Sequence, residues 1–255
     1  MDYGLQISAS GALAGIYQQD ALTNNLANAN TIGFKPILTG TMQRLAARAE
    51  DNLPFLPSDS LLEKLGGGVF SAPARINFAQ GPLETSDNPF DLAIQGEGFF
   101  VVGDPSNPSL TRDGRFTVND TGELVMTTSG TPVLSTQGQP IKIDLAQGPI
   151  QIQNDGTITQ RGAPINQIQI SDVPNRDILA KIGSGMFASQ SGSPLTLIAA
   201  TGSLNQYMLE GSGVNEIDAL MQIQEASKSA KDNIGMIDLK NRLMERAINT
   251  FGRLS

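Results

Sequence analysis

Three carboxylates, Asp87, Asp91 and Glu97, lie close together in the sequence, and paired carboxylates of this kind can serve glycoside hydrolysis. Asn88 and Pro89 stand between the first two, and Glu97 sits inside a Gly-Glu-Gly turn, so surface and turn roles account for them better. Ser212 occupies "EGSGV", but the chain has no His to activate a serine and no Cys to act as a thiol nucleophile. The same absences remove the usual structural zinc ligands and disulfides. Gly66-Gly67-Gly68 lacks the Lys-Ser/Thr ending of a phosphate loop and reads as a hinge. "DPSNPS" at 104–109 has too few carboxylates for a calcium loop. The expectation is a chain without catalytic, cofactor-binding or metal residues.

A different stretch draws more attention. "NNLANANTIGFK", residues 24–35, places four Asn, a Thr-Ile-Gly-Phe turn and one Lys after a helical pattern. Asn side chains can satisfy backbone groups at a helix end that packing hides from water. Gly33 offers a conformation largely closed to residues with a β-carbon, and Phe34 offers an apolar plug. Asn24, Asn25, Leu26, Asn28, Thr31, Gly33 and Phe34 are therefore assembly candidates.

The elements that hold this stretch fall into three textures. Residues 4–27 carry Leu5, Ala9, Ala12, Leu13, Ile16, Thr23 and Leu26 at spacings of three and four, the pattern of an amphipathic helix. The only charged side chains before residue 35 are Asp2 and Asp20, so the helix is expected to be buried on more than one side. Residues 36–68, with Pro54, Pro57 and the Gly run, read as an irregular connector. From 69 to 205, short β-branched runs alternate with turn signals at Gly96-Glu97-Gly98, Asp113-Gly114, Thr121-Gly122 and Asp155-Gly156. Asp-Gly between alternating segments is a hairpin signal, so an antiparallel, hairpin-rich β-domain is expected. Ile165, Ile168 and Ile170 alternate out of step, as a bulge would cause.

The segment 206–255 ends in the most regular pattern of the chain. Leu220, Ile223, Ser227, Ala230, Ile234, Ile237, Asn241, Met244, Ile248 and Phe251 form a seam at alternating spacings of three and four. Asn215 can cap its start, Glu216 and Asp218 lie in the first turn, and Arg242, Arg246 and Arg253 lie toward its end, the charge order a helix dipole favours. The fold class expected is α+β: N- and C-terminal amphipathic helices (1–35 and 206–255) pairing in a coiled-coil-like helical domain, with a central antiparallel β-domain. Leu5 and Ile16 of the first helix join the seam residues as candidates for burial between molecules. Two architectures fit: one large intramolecular core, or copies of the chain burying these helices against one another.

Composition narrows the function classes. With a formal net charge of −8, the chain lacks the basic balance of a general nucleic-acid binder. No run approaches the length of a membrane-spanning helix, and the N-terminus, with an acidic residue at position 2, does not read as a cleavable secretory signal.

The opening stretch resembles the N-terminal signature of the bacterial flagellar axial proteins of rod and hook. Asn25, Leu26, Ala27, Asn28, Thr31, Gly33, Phe34 and Lys35 match it. The resemblance continues through "GEGFFVV" at 96–102, "TRDGRFTVNDTGELV" at 111–125 and "LEGSGVNEIDALMQIQEASK" at 209–228, where Gly213 replaces the usual Asn. Rod-sized length and the Met-Asp start are closest to the proximal-rod members. The resemblance implies a structural subunit of the periplasmic rod, with a distal-rod or hook subunit as alternative. It implies export through the flagellar type III apparatus and partners that are copies of the chain and neighbouring axial proteins. The terminal helices would line a channel and the β-domain would lie outside. A secreted β-domain that binds a surface partner, with the helices as a stalk, is the competing class.

Overall fold

The computed structural model describes residues 3–46, 49 and 66–251, without the side chains of Tyr3 and Phe251. Pro54, Pro57 and most of the Pro-rich connector lie outside the described residues, as do Arg253 and the Phe251 side chain. The chain forms two compact units, a helical one (Met1–Ala27, Ile37–Arg75, Asn215–Ser255) and a β unit (Asn28–Pro36, Ile76–Val214).

In the helical unit, α1 (Tyr3–Ala27) packs along α2 (Glu216–Phe251). The α2 start is capped as its sequence suggests: the Asn215 side-chain oxygen accepts from the Ile217 and Asp218 amides at 3.0 and 3.3 Å. The helices run antiparallel, because Gly11 faces Asn233 while Gly15 faces Ala230 and Ala226. A β-carbon on Gly15 would lie 3.1 Å from the Ala230 β-carbon, so glycine is what allows this approach.

The small residues decide which face is covered. Ala12, Ala14 and Leu22 of α1 are buried with Ala219, Ala226 and Ala230 of α2. Leu13 and Ile16, expected on the buried face of α1, are instead 69% and 43% exposed. The α2 seam is likewise displaced: Ala230 is buried and Ile223 and Ile237 half-buried, but Leu220 and Ile234 give way to Ala219 and Asn233. Close approach selects the narrowest side chains and turns the bulky ones outward. Among the described residues α1 is covered by α2 and also by β3 at Ser10 and β1 at Asn25, which leaves one exposed stripe through Leu13, Ile16 and Tyr17.

Among the described residues, three short strands lie within this unit: β1 (Ile37–Leu38), β2 (Thr41–Gln43) and β3 (Val69–Ser71), with β2 and β3 antiparallel. The Gly run leading into β3 is not a hinge. Gly67 donates to the Leu45 carbonyl and Arg44 to the Gly68 carbonyl, both at 2.9 Å. Gly68 adopts φ +106° against Ser10 of α1, a fit that a β-carbon would block.

Strand β4 (Arg75–Ile76) leads into the β unit, where every strand pair is antiparallel. Its largest sheet has six strands in the order β15 (Leu179–Gly183), β16 (Met186–Ser189), β8 (Asn107–Thr111), β7 (Phe99–Asp104), β14 (Ile170–Asp172), β17 (Ile198–Ala199). Smaller ladders join β5 (Leu83–Thr85) to β19 (Met208–Glu210), β6 (Leu92–Gln95) to β18 (Ser203–Gln206), and β9 (Phe116–Val118) to β10 (Leu124–Met126). A three-stranded sheet contains β11 (Ile150–Ile152), β12 (Thr157–Gln160) and β13 (Ala163–Gln167).

The unbroken apolar run "FFVV" in β7 is explained by cover on both faces. Phe100 and Val102 enter one core with Phe116, Leu124 and Ile158, while Phe99 and Val101 enter a second with Leu110, Leu134 and Phe187. Phe78, Phe99 and Phe187 meet edge to face in the second core.

Two turn signals close hairpins as expected: Gly122 (φ +79°) between β9 and β10, and Gly156 (φ +87°) between β11 and β12. Asp113-Gly114 does not. Strand β8 is already paired on both sides, so the chain leaves the sheet there, and the Gly114 carbonyl accepts from the Leu92 amide at 3.0 Å. The uneven Ile165–Ile170 spacing marks a transfer between sheets, from β13 to β14, with a register shift in the β12–β13 ladder.

Candidate functional site

Of the three carboxylates that could have done chemistry, Asp87 is exposed on the surface and the other two are engaged by neighbours. Asp91 is buried and accepts from the Ser86 hydroxyl at 2.6 Å and the Asn88 amide at 2.9 Å. Glu97 is exposed, 3.5 Å from Arg176, which also bonds Asp172. Among the described residues no group of three or more His, Cys, Asp or Glu could hold a metal ion.

The Asn-rich stretch is built differently from a simple helix cap. Near the end of α1, Asn25 is buried and exchanges two hydrogen bonds with the Ile37 backbone, donating to its carbonyl and accepting from its amide, both at 2.8 Å. Its side chain thus replaces a strand neighbour for β1. Asn24 is exposed and Leu26 half-buried. Beyond α1 the chain makes two successive turns, Thr31 amide to Asn28 carbonyl at 3.1 Å and Phe34 amide to Thr31 carbonyl at 3.2 Å. The Thr31 hydroxyl adds a bond to the Asn28 side chain at 3.2 Å.

Gly33, with φ +67°, then passes so close to the Arg112 and Asp113 backbone that a β-carbon would lie 2.5 Å from the Arg112 carbonyl carbon. Its amide donates to the Glu210 carbonyl at 2.7 Å, and the Phe34 carbonyl accepts from the Gly213 amide at 2.9 Å. At Gly213 a β-carbon would lie 3.0 Å from Pro36, so glycine suits this chain's packing where an Asn was expected.

The residue that closes the stretch is the least expected. Lys35 is 1% exposed, and its ammonium donates to Glu210 at 2.5 Å and to the Ala79 carbonyl at 2.8 Å. Glu210 is itself fully buried. One of its oxygens also accepts from the Gly81 amide at 2.8 Å, and the other accepts from Arg112 at 2.9 Å. Arg112 continues to the Gly96 carbonyl at 2.7 Å, and its guanidinium lies over the Phe99 ring. Burial pulls the Lys35 pKa below the ordinary lysine value, Glu210 raises it again, and Arg112 and Arg176 add a smaller lowering. Two buried cations thus share one anion and each also donates to a carbonyl, while the Arg112 Nε is buried without a hydrogen-bond partner among the described residues.

Phe34 does not project freely. It is half-buried, and the Lys181 ammonium sits 3.7 Å from its ring centroid. That ammonium is buried without a hydrogen-bond partner among the described residues, and burial lowers its pKa to about 8.

All four sequence stretches that carry the family resemblance meet here. Lys35 comes from "TIGFK", the Gly96 carbonyl from "GEGFFVV", Arg112 from "TRDGRF" and Glu210 from "LEGSG". Arg112 and Glu210 are not among the residues singled out from sequence, and Lys35 enters there only as a match to the family signature. The available signal was a lone Lys ending an almost uncharged stretch.

The remaining candidates lie on the helices. Leu5 is half-buried and Ile16 exposed; on α2, Leu220, Ile234, Met244 and Ile248 are exposed, Ile248 at 70%. Counting back from the Gly11–Asn233 contact, α1 runs out about level with residue 241, and every residue from 241 to 250 is exposed. Leu243, Met244 and Ile248 therefore have no cover among the described residues.

Residues 5–35 match the family model described as flagella basal body rod protein, and residues 93–160 match that of the flagellar hook protein FlgE/F/G D1 domain. The chain is 33% identical to the flagellar basal-body rod protein FlgF of Caulobacter vibrioides and 27% identical to FlgF of Mesorhizobium japonicum, each over the full length of both chains. It is 28% identical to the rod protein FlgG of Caulobacter vibrioides, over 94% of this chain and 96% of that one. The chain belongs to the flagellar basal-body rod protein family, as a structural subunit of the basal-body rod.

Proposed function

We propose that the chain is a proximal-rod subunit that polymerises through its terminal helices, with copies of itself and with neighbouring axial proteins, into a hollow shaft. That shaft transmits torque in the periplasm and surrounds the export channel. The subunit performs no catalysis and reaches its site through the flagellar type III export apparatus, a route that suits a chain free of Cys. The observation that carries this reading is the bare apolar surface of the helices: Leu13, Ile16 and Tyr17 on α1, and Leu239, Leu243 and Ile248 on α2. A helical array of heterologous contacts can cover such faces on every copy. Full-length similarity to FlgF favours the proximal reading, and the similarity to FlgG keeps the distal rod as the alternative.

The test is Ile248→Asp in cells, with electron microscopy of purified basal bodies and circular dichroism of the purified chain. Rods are expected to be absent or truncated while the β-rich spectrum persists. Normal rods built from the variant would defeat the proposal.

A further inference from the structure

The chain crosses between its two units four times, after residues 27, 36, 75 and 214. The β unit's residues next to these crossings are tied to one another. Gly33 and Lys35 bond Glu210, Lys35 also bonds Ala79, Asn77 bonds Pro36, and Gly213 bonds Phe34. One buried carboxylate, Glu210, gathers the segments that lead into α1 and α2.

We propose that the Lys35–Glu210–Arg112 cluster is a folding clasp: its closure within the β unit sets the register of α1 against α2 before any neighbouring molecule is present. Lys35 and Glu210 are 175 residues apart in the chain, so bringing them together costs loop-closure entropy that neither helix could offset alone. Folding of the β unit meets that cost. Once the clasp is closed, only the six Cα-to-Cα steps from Ala27 to Gly33 and the six from Glu210 to Glu216 separate the helix ends from it. Two such tethers reach at most ~40 Å together, which holds each helix at an effective concentration in the millimolar range for the other.

A second observation agrees with the first. The antiparallel register fixed by Gly11 on Asn233 and Gly15 on Ala230 extrapolates to the end of α1 lying level with the start of α2. Those are the two helix ends that the clasp tethers. The helix faces that remain bare afterwards are the ones assigned above to assembly, but the clasp acts in the unassembled chain and does not rest on that assignment.

The test uses the full chain at dilution, in which the absence of Cys permits paired spin labels at Leu13→Cys and Met236→Cys, both exposed positions. In Glu210→Gln, amide exchange at Gly33 and Gly213 is expected to accelerate at least tenfold and the label distance distribution to broaden. The core amides of Leu124 and Val133 should keep their protection. Lys35→Met, which leaves Glu210 bonded to Arg112, should show the same changes to a smaller degree and covers the case in which Glu210→Gln does not fold. A label distribution that stays narrow while Gly33 and Gly213 open would show that the helices set their own register and overturn the proposal. Uniform acceleration of all amides in Lys35→Met would overturn it as well, because the cluster would then be undivided core. Rod formation enters neither readout, so loss of the assembly reading would leave this one standing.

Discussion

Lys35 and Glu210 form a buried ion pair at 2.5 Å across 175 residues of sequence, and Arg112 shares the same carboxylate. A buried charge that loses its partners is costly, typically by about 3–5 kcal/mol, whereas one that keeps a second partner loses less. Glu210→Ala orphans two cations at once. It is expected to destabilise by about 3–5 kcal/mol, and Lys35→Met by less. Urea unfolding of the purified chain measures both, and the reverse order would contradict the shared-anion geometry.

Gly33 is constrained twice, by φ +67° and by the Arg112–Asp113 backbone beneath it. Gly33→Ala must therefore shift the turn away from β8 or unfold it. A loss of about 2 kcal/mol or more is expected, above the usual penalty for alanine at positive φ. Gly162 also has positive φ but nothing within reach of a β-carbon, so Gly162→Ala should cost only that usual penalty. Thermal unfolding of the two variants separates clash from dihedral strain.

Lys181 gives a pH dependence with a defined sign. Burial lowers its folded pKa to about 8 from an ordinary value of 10.5, so the unfolded chain holds more protons between these values. Stability therefore rises with pH across that window, and the cost of the buried ammonium is fully present below pH 8. Lys181→Met is expected to be more stable than the parent at pH 7, with the advantage shrinking toward pH 10. Denaturation midpoints at the two pH values check this. A Lys181→Met chain that is less stable at pH 7 would mean that the Phe34 ring outweighs desolvation.

Asn25 stands in for a strand neighbour of β1 through its paired bonds to Ile37. Asn25→Ala leaves one donor and one acceptor without a partner, a loss of about 1–3 kcal/mol where they stay buried. Asn25→Asp keeps only the acceptor. Amide exchange at Ile37 should accelerate in the alanine variant and stay protected in the aspartate variant at neutral pH.

The two faces of α1 should respond oppositely. Gly15→Val pushes a branched side chain into Ala230 and is expected to separate the helices, reducing far-ultraviolet helicity in dilute solution. Leu13→Asp alters an exposed position and should leave the dilute chain unchanged.

The sequence made the helices and most turns legible because those signals are local. Periodicity marks α1 and α2, and glycine marks the Gly122 and Gly156 hairpins. Periodicity misled where size mattered more than hydrophobicity: Gly11, Gly15 and the alanines, not Leu13 and Ile16, form the contact between helices. Asp113-Gly114 carried a hairpin signal but sits where an already paired strand must exit its sheet. The charge cluster escaped notice because its members are scattered along the chain, and only folding brings an isolated Lys, an Arg and a Glu together.

The repeated exchange of chain between the units has a practical corollary for dissection. A gene fragment encoding residues 76–214 alone would omit the 28–36 strap and leave the Glu210 carboxylate with Arg112 but without Lys35. Splicing 28–36 back, ahead of Ile76 through a short designed loop, restores the missing cation, so a soluble crystallographic target should be cut in two pieces and not one.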